Sequence, residues 1–499
     1  MADTANNAPA APAADTPDKQ LRQRVDRLLA QPAATSSGQL TLGKRKLAYT
    51  TAVEFMPVSA EGLEGVQNEP QGAVMTTAYL AKDADPAQRP VCFTFNGGPG
   101  SCSIWLQFGA VGPMRITTPA DGSMPAPPYA LQDNPQSWLE HFDLVFIDPP
   151  HTGWSISASE AARKKHLGVD GDVAALAEAM RCWLTRHRRW GSPVYLAGES
   201  YGTTRGAALA DKMAEIGVAL SGVILISCAM DLQSIAFAPA NDLPYALFLP
   251  ALANVSQYHG LLKGELGASS AAARAAAEAF VDEDYAAALL AGHRLSEKRR
   301  SKVAKRISEL TGLQQALVEE KNLRISDQTY FFEALRHKGL QVGRLEARVT
   351  GPLGANRGRE WEFDPGIEAI AAPYTMAAMA YYAQTLGVTS ETRYEVLNRE
   401  VNRSWNWSRG QTFGNGFAST TPDLARALRR NPHLRVFVGS GRYDLGTPYS
   451  ASDWSLANLD VPADVMSRVQ HRYYDAGHMM YTREADLKQL KADLSAWLK

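Results

Sequence analysis

Short apolar runs bounded by turn residues begin near residue 47, after a charged stretch at 18–45 that predicts a helix and a linker. The runs are rich in β-branched and aromatic residues, which favour strands on a half-buried surface. The predicted strands occupy residues 48–55, 72–80 and 91–95.

From about residue 140, apolar strands alternate with helical patterns. The predicted strands are 144–147, 194–197 and 222–227, and the predicted helices are 171–187 and 203–216. Strands that alternate with helices are typical of a mostly parallel sheet covered by helices on both faces. The pattern therefore predicts an α/β fold.

The alternation stops near residue 231, and the pattern at 240–365 is largely helical. It includes an alanine-rich helix at 270–291 and a basic segment at 298–306, typical of a solvated helix face. Strand patterns return at 435–438 and 469–474, and an amphipathic helix at 485–498 follows. We therefore predict a disordered tail and N-terminal helix at 1–45, an α/β core in two parts at 46–235 and 371–499, and a helical cap insertion at 236–370.

The segment GESYG at 198–202 fits the G-x-S-x-G pattern of a nucleophile elbow. A predicted strand runs directly into it, and a helix rich in small residues leaves it. Glycines on either side of the serine relieve clashes in so tight a turn, and the helix N-terminus favours developing negative charge. We predict Ser200 as the nucleophile; an ordinary strand-to-helix turn is the alternative interpretation.

A glycine-rich loop, NGGPGS at 96–101, follows the predicted strand at 91–95. In α/β hydrolases a loop at this place supplies one main-chain donor to the oxyanion. Because Pro99 has no N–H, the predicted donors are the N–H groups of Gly98 and Tyr201. A plain β-turn is the alternative, whereas a lysine-bearing phosphate loop is excluded because no Gly-Lys-Ser/Thr follows.

A serine nucleophile needs a base, and in this fold the base comes last along the chain. Three histidines follow residue 400. His433 is typical of a surface turn, and His471 begins a predicted strand. His478 lies on a glycine-bearing loop just after that strand, where the base is expected, and is the predicted base.

The base in turn needs a carboxylate that fixes its tautomer. Asp444 lies in the loop after the predicted strand at 435–438 and is the predicted partner of His478. Asp453 and Asp475 are competitors, but the first lies in a predicted helix and the second lies too close along the chain to orient His478 easily.

Composition limits the classes of function. The chain has 499 residues, a formal net charge of −1 and 21% charged residues, without the basic excess typical of proteins that bind nucleic acid or membrane surfaces. No apolar run of about 18 residues predicts a membrane span. We predict no nucleic-acid partner, no membrane partner, no metal and no cofactor. The cysteines lack the spacing of a metal or redox motif and are predicted to be buried free thiols, although sequence leaves one disulfide open: Cys92, Cys102, Cys182 and Cys228.

The N-terminal 17 residues are rich in Ala, Pro, Asn and Asp. They lack the basic start and apolar stretch of a secretory signal. This pattern predicts a disordered tail and a cytoplasmic protein; a periplasmic or secreted protein is the alternative if a leader was removed.

Four ordered motifs resemble those of the serine carboxypeptidase family: NGGPG at 96–100, GESYG at 198–202, GRYD at 441–444 and AGHM at 476–479. The segments FDLVFIDPP at 142–150 and TGWS at 152–155 resemble another block of that family. The resemblance covers roughly residues 45–230 and 370–499, and the helical insertion is similar to that of bacterial members. It implies the α/β-hydrolase fold with a helical cap.

The resemblance also implies an acyl-enzyme reaction that releases the C-terminal amino acid of a peptide substrate. It implies that Asn96 and Glu199 recognise the free carboxylate of that substrate, to which a protonated Glu199 can donate. A structural role for Glu199 at the start of the helix is the alternative. Two positions depart from the family: Ser101 stands where a cysteine is usual, with Cys102 one place later, and Ala110 stands where a further glutamate is often found. Carboxylate recognition is therefore expected to be weaker or differently built.

Two other functions stay open at this stage. An esterase or acyltransferase would use the same triad. A binding or scaffold protein with a vestigial site would lack a triad residue, and none is missing from this sequence. The sequence predicts neither the preferred side chains nor the oligomeric state, and it leaves a homodimer open.

Overall fold

A computed structural model of the chain describes residues 16–59, 69–82, 84–409 and 416–499. The predicted disordered tail at 1–15 lies outside these residues. The strands are β1 Ala34–Leu42, β2 Arg45–Val58, β3 Gly72–Ala81, β4 Val91–Phe95, β5 Met114–Arg115, β6 Gln132–Asp133, β7 Asp143–Ile147, β8 Ile156–Ser157, β9 Val194–Glu199, β10 Leu220–Ile226, β11 Leu340–Val342, β12 Thr350–Pro352, β13 Arg435–Gly441 and β14 Val469–Tyr474.

The described residues also form α-helices on both sides of these strands in sequence. They are α1 Pro17–Ala30, α2 Glu160–His166, α3 Val169–Arg186, α4 Tyr201–Glu215, α5 Leu243–Tyr258, α6 Gly264–Ala268, α7 Ser270–Phe280, α8 Ala286–Ala291, α9 Glu297–Thr311, α10 Gln315–Glu320, α11 Asp327–Glu333, α12 Pro365–Gln384, α13 Arg399–Arg403, α14 Thr421–Arg430, α15 Tyr449–Ala457, α16 Ala463–Met466 and α17 Glu484–Trp497. The described residues also contain two π-helical segments: Leu106–Val111 lies between β4 and β5, and Val281–Tyr285 joins α7 to α8.

Within the described residues, one central sheet has ten strands, in the order β1-β2-β3-β7-β4-β9-β10-β13-β14, with β8 paired to β3. The first four strands in this order pair antiparallel, and every later pair along this order is parallel. The carboxyl ends of the parallel strands therefore meet at one edge of the sheet, which is where α/β folds bind their ligands. The predicted α/β fold with a mostly parallel sheet is confirmed.

One prediction about the N-terminal region is wrong. Residues 34–42, predicted as part of a linker, form strand β1, which pairs with β2 over its whole length. Only Leu40 of this edge strand is fully buried, and the other positions alternate between half-buried and exposed. A strand with so few apolar residues gives little hydrophobic signal, and it is held mainly by main-chain pairing.

The sheet separates two hydrophobic clusters. Successive residues of a strand point to opposite faces: Cys92 packs with α12 and α17 on one side, whereas Phe93 packs with α3 and α4 on the other. All five residues of β4 are buried, which explains why the central strands are continuous apolar runs rather than alternating ones.

Helices α5 to α11 surround a third cluster, which also contains Tyr443, Leu445 and Tyr449 from the chain after β13. The single helix predicted at 270–291 is divided into α7, the π-helical segment Val281–Tyr285 and α8. The division of the chain into a core at 46–235 and 371–499 and a cap at 236–370 stays a prediction. None of the helices in the described ranges combines the length and apolar character that a membrane crossing requires.

A buried ion pair ties helices α3 and α4 to the loop after β4. Arg205 and Asp172 are both fully buried and lie 2.7 Å apart, Nε to Oδ2. The Arg205 Nη1 also donates to the carbonyl of Asn96, at 2.6 Å. The guanidinium is further packed against the rings of Phe95 and Tyr201. This arginine thus fixes the start of the glycine-rich loop to helices α3 and α4.

Replacing Arg205 with methionine is expected to lower the free energy of unfolding by about 3–5 kcal/mol, because it leaves Asp172 as a buried carboxylate without a partner. Denaturant unfolding measures this loss. Adding Asp172→Leu removes the stranded charge, so the double variant is expected to regain much of the lost stability. A double variant less stable than Arg205→Met alone would contradict the role given to the buried charge.

Candidate active site

Ser200 lies at the turn between β9 and α4, with φ 60° and ψ −130°. A positive φ is strained for a residue with a side chain and costs about 1–3 kcal/mol, which the surrounding structure has to offset. The flanking glycines permit the turn: a Cβ on Gly198 would overlap the carbonyl of Gly202, and a Cβ on Gly202 would lie 2.9 Å from the carbonyl of Phe95. The turn holds Ser200 at the carboxyl edge of the sheet.

The glycine-rich loop after β4 lies directly against this turn. A Cβ on Gly97 would lie 2.6 Å from the Gly202 nitrogen and would overlap the Tyr201 nitrogen. Within the described residues, the N–H groups of Gly98 and Tyr201 donate to no acceptor. Both predicted oxyanion donors thus come from two segments in close contact, and both are free to donate to a substrate oxygen.

His478 and Asp444 form a buried hydrogen bond, 2.8 Å from Nδ1 to Oδ2. Thr447 donates its hydroxyl to the same Asp444 oxygen at 2.7 Å. The other oxygen accepts the N–H groups of Gly446 and Thr447 at 2.7 and 3.0 Å. The carboxylate is thereby fixed in one orientation, and His478 Nδ1 carries the proton that it donates.

In both members of this pair, the neighbouring charge shifts the pKa in the direction opposite to the effect of burial. Burial by itself would lower the pKa of His478, but the Asp444 carboxylate raises it above its ordinary value. Burial would likewise raise the pKa of Asp444, but His478 and Thr447 lower it. The ionised form of Asp444 is therefore favoured, and a carboxylate at this place can stabilise an imidazolium.

Ser200 and His478 are linked through two successive residues at the end of β10, Ile226 and Ser227. The Ser200 N–H donates to the carbonyl of Ile226 at 3.0 Å, and the Ser227 hydroxyl donates to the carbonyl of His478 at 2.6 Å. The described residues show no hydrogen bond between the Ser200 hydroxyl and the imidazole. Catalytic hydrogen bonds are often long in the free enzyme and shorten only in the substrate complex.

Glu199 is buried beside this centre. Burial raises the pKa of Glu199 to about 7, although His478, Tyr481 and Asn96 favour its charged form. Neither Tyr481 nor Asn96 reaches the geometry of a full hydrogen bond with it: the Glu199 Oε2 and the Tyr481 hydroxyl have no partner among the described residues. The side-chain oxygen of Asn96 accepts the Leu106 N–H at 3.1 Å, which leaves its NH₂ group as the donor beside Glu199.

The structure does not bring the competing acids to His478. Asp453 contacts His471, 3.0 Å from Nδ1, and Tyr473. Asp475 is exposed, and the charge nearest its side chain is that of Arg483, at 3.9 Å. Among the three acids considered from the sequence, Asp444 alone is buried against the imidazole.

The two departures from the family motifs have local explanations. The Ser101 hydroxyl accepts the indole N–H of Trp105 at 2.8 Å, a role in the loop that needs no cysteine. Ala110 is buried in the π-helical segment Leu106–Val111. At the neighbouring Gly109, a Cβ would lie 2.7 Å from the Tyr374 hydroxyl and 2.6 Å from the ring of Tyr481. Both tyrosines also interact electrostatically with Glu199. All four cysteines are free, and three are buried.

Sequence reasoning missed several residues that support the site. Thr447 follows Asp444 by three residues, and an Asp-x-Gly-Thr run is a local signal for such a turn. Tyr481 and Ser227 gave no signal, because their places beside Glu199 and His478 depend on the folded chain.

Residues 68–238 match the family model described as serine carboxypeptidase. This match covers less than half of the chain; it contains Asn96, Glu199 and Ser200 but neither Asp444 nor His478. The predicted resemblance to the serine carboxypeptidase family is confirmed for this part of the chain.

Curated relatives include two proteins of Arabidopsis thaliana. Serine carboxypeptidase-like 5 is 28% identical over 126 residues, which are 25% of this chain and 27% of the relative. Serine carboxypeptidase-like 34 is 31% identical over 136 residues, 27% of this chain and 26% of the relative. The chain thus spans about a quarter of the length of these relatives.

Among solved structures, the chain is similar to Kex1, a prohormone-processing carboxypeptidase from Saccharomyces cerevisiae. The TM-score is 0.54 at 14% identity, and the likeness covers 90% of this chain and 91% of Kex1. It shows a shared fold over nearly the whole length, and the predicted α/β-hydrolase fold is confirmed.

Proposed function

We propose that this protein is a serine carboxypeptidase, which hydrolyses C-terminal peptide bonds through an acyl-enzyme intermediate. The observation that carries the proposal is Glu199: a buried carboxyl group with an unpartnered oxygen, next to Ser200 in sequence and close in space to His478. A buried polar atom without a partner calls for an explanation, and a substrate carboxylate bound at this point supplies one.

In the proposed reaction, the Ser200 hydroxyl attacks the carbonyl carbon of the last peptide bond while His478 Nε2 takes its proton. The N–H groups of Gly98 and Tyr201 donate to the oxyanion; losing one such donor typically costs about 3 kcal/mol in the transition state. When the C–N bond breaks, the imidazolium gives its proton to the departing amine. Water, activated by His478 in the same way, then hydrolyses the ester and restores Ser200.

Recognition of the free carboxylate is proposed for Asn96 and Glu199. Protonated Glu199 donates one hydrogen bond to the substrate carboxylate, and the Asn96 NH₂ group donates another. The Tyr481 hydroxyl, also buried without a partner among the described residues, supplies a further donor on the same side. Tyrosine donors of this kind would offset the missing acid at position 110.

An N-blocked peptide with a free C-terminus is expected to be cleaved faster than its C-terminal amide below pH 7. The pKa of Glu199 lies near 7, so raising the pH from 6 to 8 removes about nine-tenths of its protons and is expected to lower the rate ratio of acid to amide about tenfold. At low pH both substrates lose rate together, because His478 becomes protonated.

The measurement is kcat/KM for both substrates across this pH range. In Glu199→Gln the amide NH₂ group can donate at any pH, so the decline in the ratio is expected to disappear. Equal rates for acid and amide at every pH would remove the carboxypeptidase proposal and leave the esterase or acyltransferase, which the absence of an acid at position 110 favours as the second candidate.

Several narrower statements stay predictions. The peptide substrate is proposed from the function above. The two named plant relatives and the yeast Kex1 do not test the likeness of the helical insertion to bacterial members. A cytoplasmic location, the periplasmic or secreted alternative, the absence of nucleic-acid and membrane partners, and a homodimer likewise stay as predicted from sequence.

A further inference from the structure

One loop of the helical region, the predicted insertion at 236–370, reaches the two loops that carry Asp444 and His478, which we call the triad loops. Strands β11 and β12 form a hairpin, and we call the chain between them, residues 343–349, the hairpin loop. Its main chain bonds to both neighbours of Asp444: the Leu445 N–H donates to the carbonyl of Arg344 at 3.0 Å, and the Ala347 N–H donates to the carbonyl of Tyr443 at 3.1 Å.

The same loop holds the base directly. The His478 N–H donates to the carbonyl of Leu345 at 2.6 Å. The next residue, Glu346, accepts the Gly477 N–H on Oε2 at 2.9 Å. Three consecutive carbonyl or carboxylate groups of the hairpin loop, at residues 344–346, thus bind the segments that carry Asp444 and His478.

A largely buried ion pair keeps Glu346 in place. Arg348 donates to both oxygens of Glu346, at 2.8 Å from Nε and 2.6 Å from Nη2. Its Nη1 donates to the carbonyl of Asp475 at 2.7 Å, and its guanidinium lies 4.3 Å from the ring centre of Tyr443. Glu346 and Arg348 therefore hold the chain on both sides of Ala476, at Gly477 and Asp475, one and three residues before the base.

The contacts leave no space for adjustment. A Cβ on Gly477 would lie 2.8 Å from the Glu346 Cα and would overlap the carbonyl of Leu345, and a Cβ on Gly441 would overlap the carbonyl of Gly477. Close-packed main-chain segments transmit a displacement rather than absorb it. Movement of the hairpin loop therefore moves the triad loops with it.

The hairpin loop is itself fixed to the helical region. Asp364, the N-cap of α12, accepts the N–H groups of Arg344 and Leu345 at 3.0 and 3.3 Å. The ring of His259, just after α5, bonds to the carbonyl of Ala347 at 2.7 Å. The position of Asp444 relative to His478 is thus tied to the end of α5 and to the start of α12.

We propose that the hairpin loop sets the alignment of Asp444 with His478, and that Glu346 and Arg348 are positioning residues for the base. The proposal rests on the proposed function, because it assumes that Asp444 and His478 act in the triad. In this proposal, the helical region contributes to catalysis by holding the triad loops in place. Neither Glu346 nor Arg348 touches the reacting atoms, and both act through the chain at 475–478.

Glu346→Ala is expected to lower kcat about 10- to 100-fold with KM nearly unchanged, since a misplacement of about 1 Å costs a factor of that order. The charges that face His478 are Asp444, Glu199 and Arg344, and Asp444 raises its pKa. A weaker contact with Asp444 lowers the pKa of His478, so the acid limb of the pH–rate profile is expected to move to lower pH. Glu346→Gln keeps an acceptor for the Gly477 N–H and is expected to restore most of the rate.

The matched control is Asp242→Ala, which breaks the ion pair of Asp242 with Arg324. That pair has the same bidentate geometry, 2.7 Å on both sides. The other hydrogen bonds of Arg324 among the described residues go to the carbonyls of Asn322 and Leu289 and not to the triad loops. The control is expected to retain the wild-type kcat and acid limb. An unchanged kcat and acid limb in Glu346→Ala, or an equal loss in the control, would overturn the proposal.

Arg348→Met provides a second route if Glu346→Ala does not fold, because it keeps the apolar stem over Tyr443 and removes both hydrogen-bonding contacts. It is expected to lower the second-order rate of labelling by a small fluorophosphonate, which needs no peptide recognition, by about tenfold. A wild-type protein that is not labelled at Ser200 would refute the proposed function itself. Labelling of Arg348→Met at the wild-type rate would refute only the positioning role.

Discussion

Replacing Ser200 with alanine is expected to lower kcat on a peptide substrate by about 10⁴- to 10⁶-fold. The hydroxyl at the strained turn after β9 is the nucleophile that attacks the peptide bond in the proposed reaction. Removing a triad serine in other enzymes costs a factor of this order, with residual catalysis from the oxyanion hole and substrate binding. Alanine keeps the main-chain N–H of Tyr201, so binding of the substrate is expected to change little.

The measurement is kcat of the purified variant, at an enzyme concentration high enough to detect a millionth of the wild-type rate. A suitable control is Ser455→Ala in α15, a buried serine whose hydroxyl bonds to the carbonyl of Ala451, and it is expected to keep the wild-type rate. If Ser200→Ala retained a tenth of the activity while its substrate affinity was unchanged, another group would have to be the nucleophile.

Replacing Asp444 with asparagine is expected to lower kcat about 10⁴-fold. Its Oδ1 accepts two main-chain N–H groups, from Gly446 and Thr447, so the asparagine oxygen takes that position. The NH₂ group then faces His478 Nδ1 and forces it to accept. The proton moves to Nε2, and the imidazole can no longer take the proton of Ser200.

The rate across a pH series tests this explanation, because a base held in the wrong tautomer is not restored at any pH near neutrality. Asp453→Asn and Asp475→Asn are the matched controls, since both were candidate acids in the sequence. They are expected to stay within a few-fold of wild type. A loss in Asp475→Asn as large as that in Asp444→Asn would contradict the assignment of the acid.

The fold was predictable where burial leaves a clear pattern of apolar residues along the chain. Strands β4, β9 and β10 are covered on both faces, so they are continuous apolar runs, and helices α3 and α4 between them show the spacing of one buried face. Strand β1 was missed because edge pairing needs few apolar residues. The break between α7 and α8 was missed because a π-helical turn inserts residues without interrupting helix-forming sequence.

The candidate site was predictable as far as its chemistry is local. The turn at Ser200 needs glycines at fixed places, and the loops of Asp444 and His478 follow strands whose carboxyl ends share one edge. No local rule places Glu346 beside Gly477 or Tyr481 beside Glu199, since these contacts join segments that are either far apart in sequence or oriented by packing alone. Their roles, like those of the triad, stay predictions until tested.

The most direct test of the central claim is mass spectrometry of the protein after reaction with a fluorophosphonate. The account predicts one adduct per chain, mapped to Ser200, no adduct in Ser200→Ala, and labelling at least about a hundredfold slower in His478→Ala. An adduct on a different residue, no adduct on the folded wild-type protein, or a His478→Ala variant that reacts as fast as wild type would contradict it.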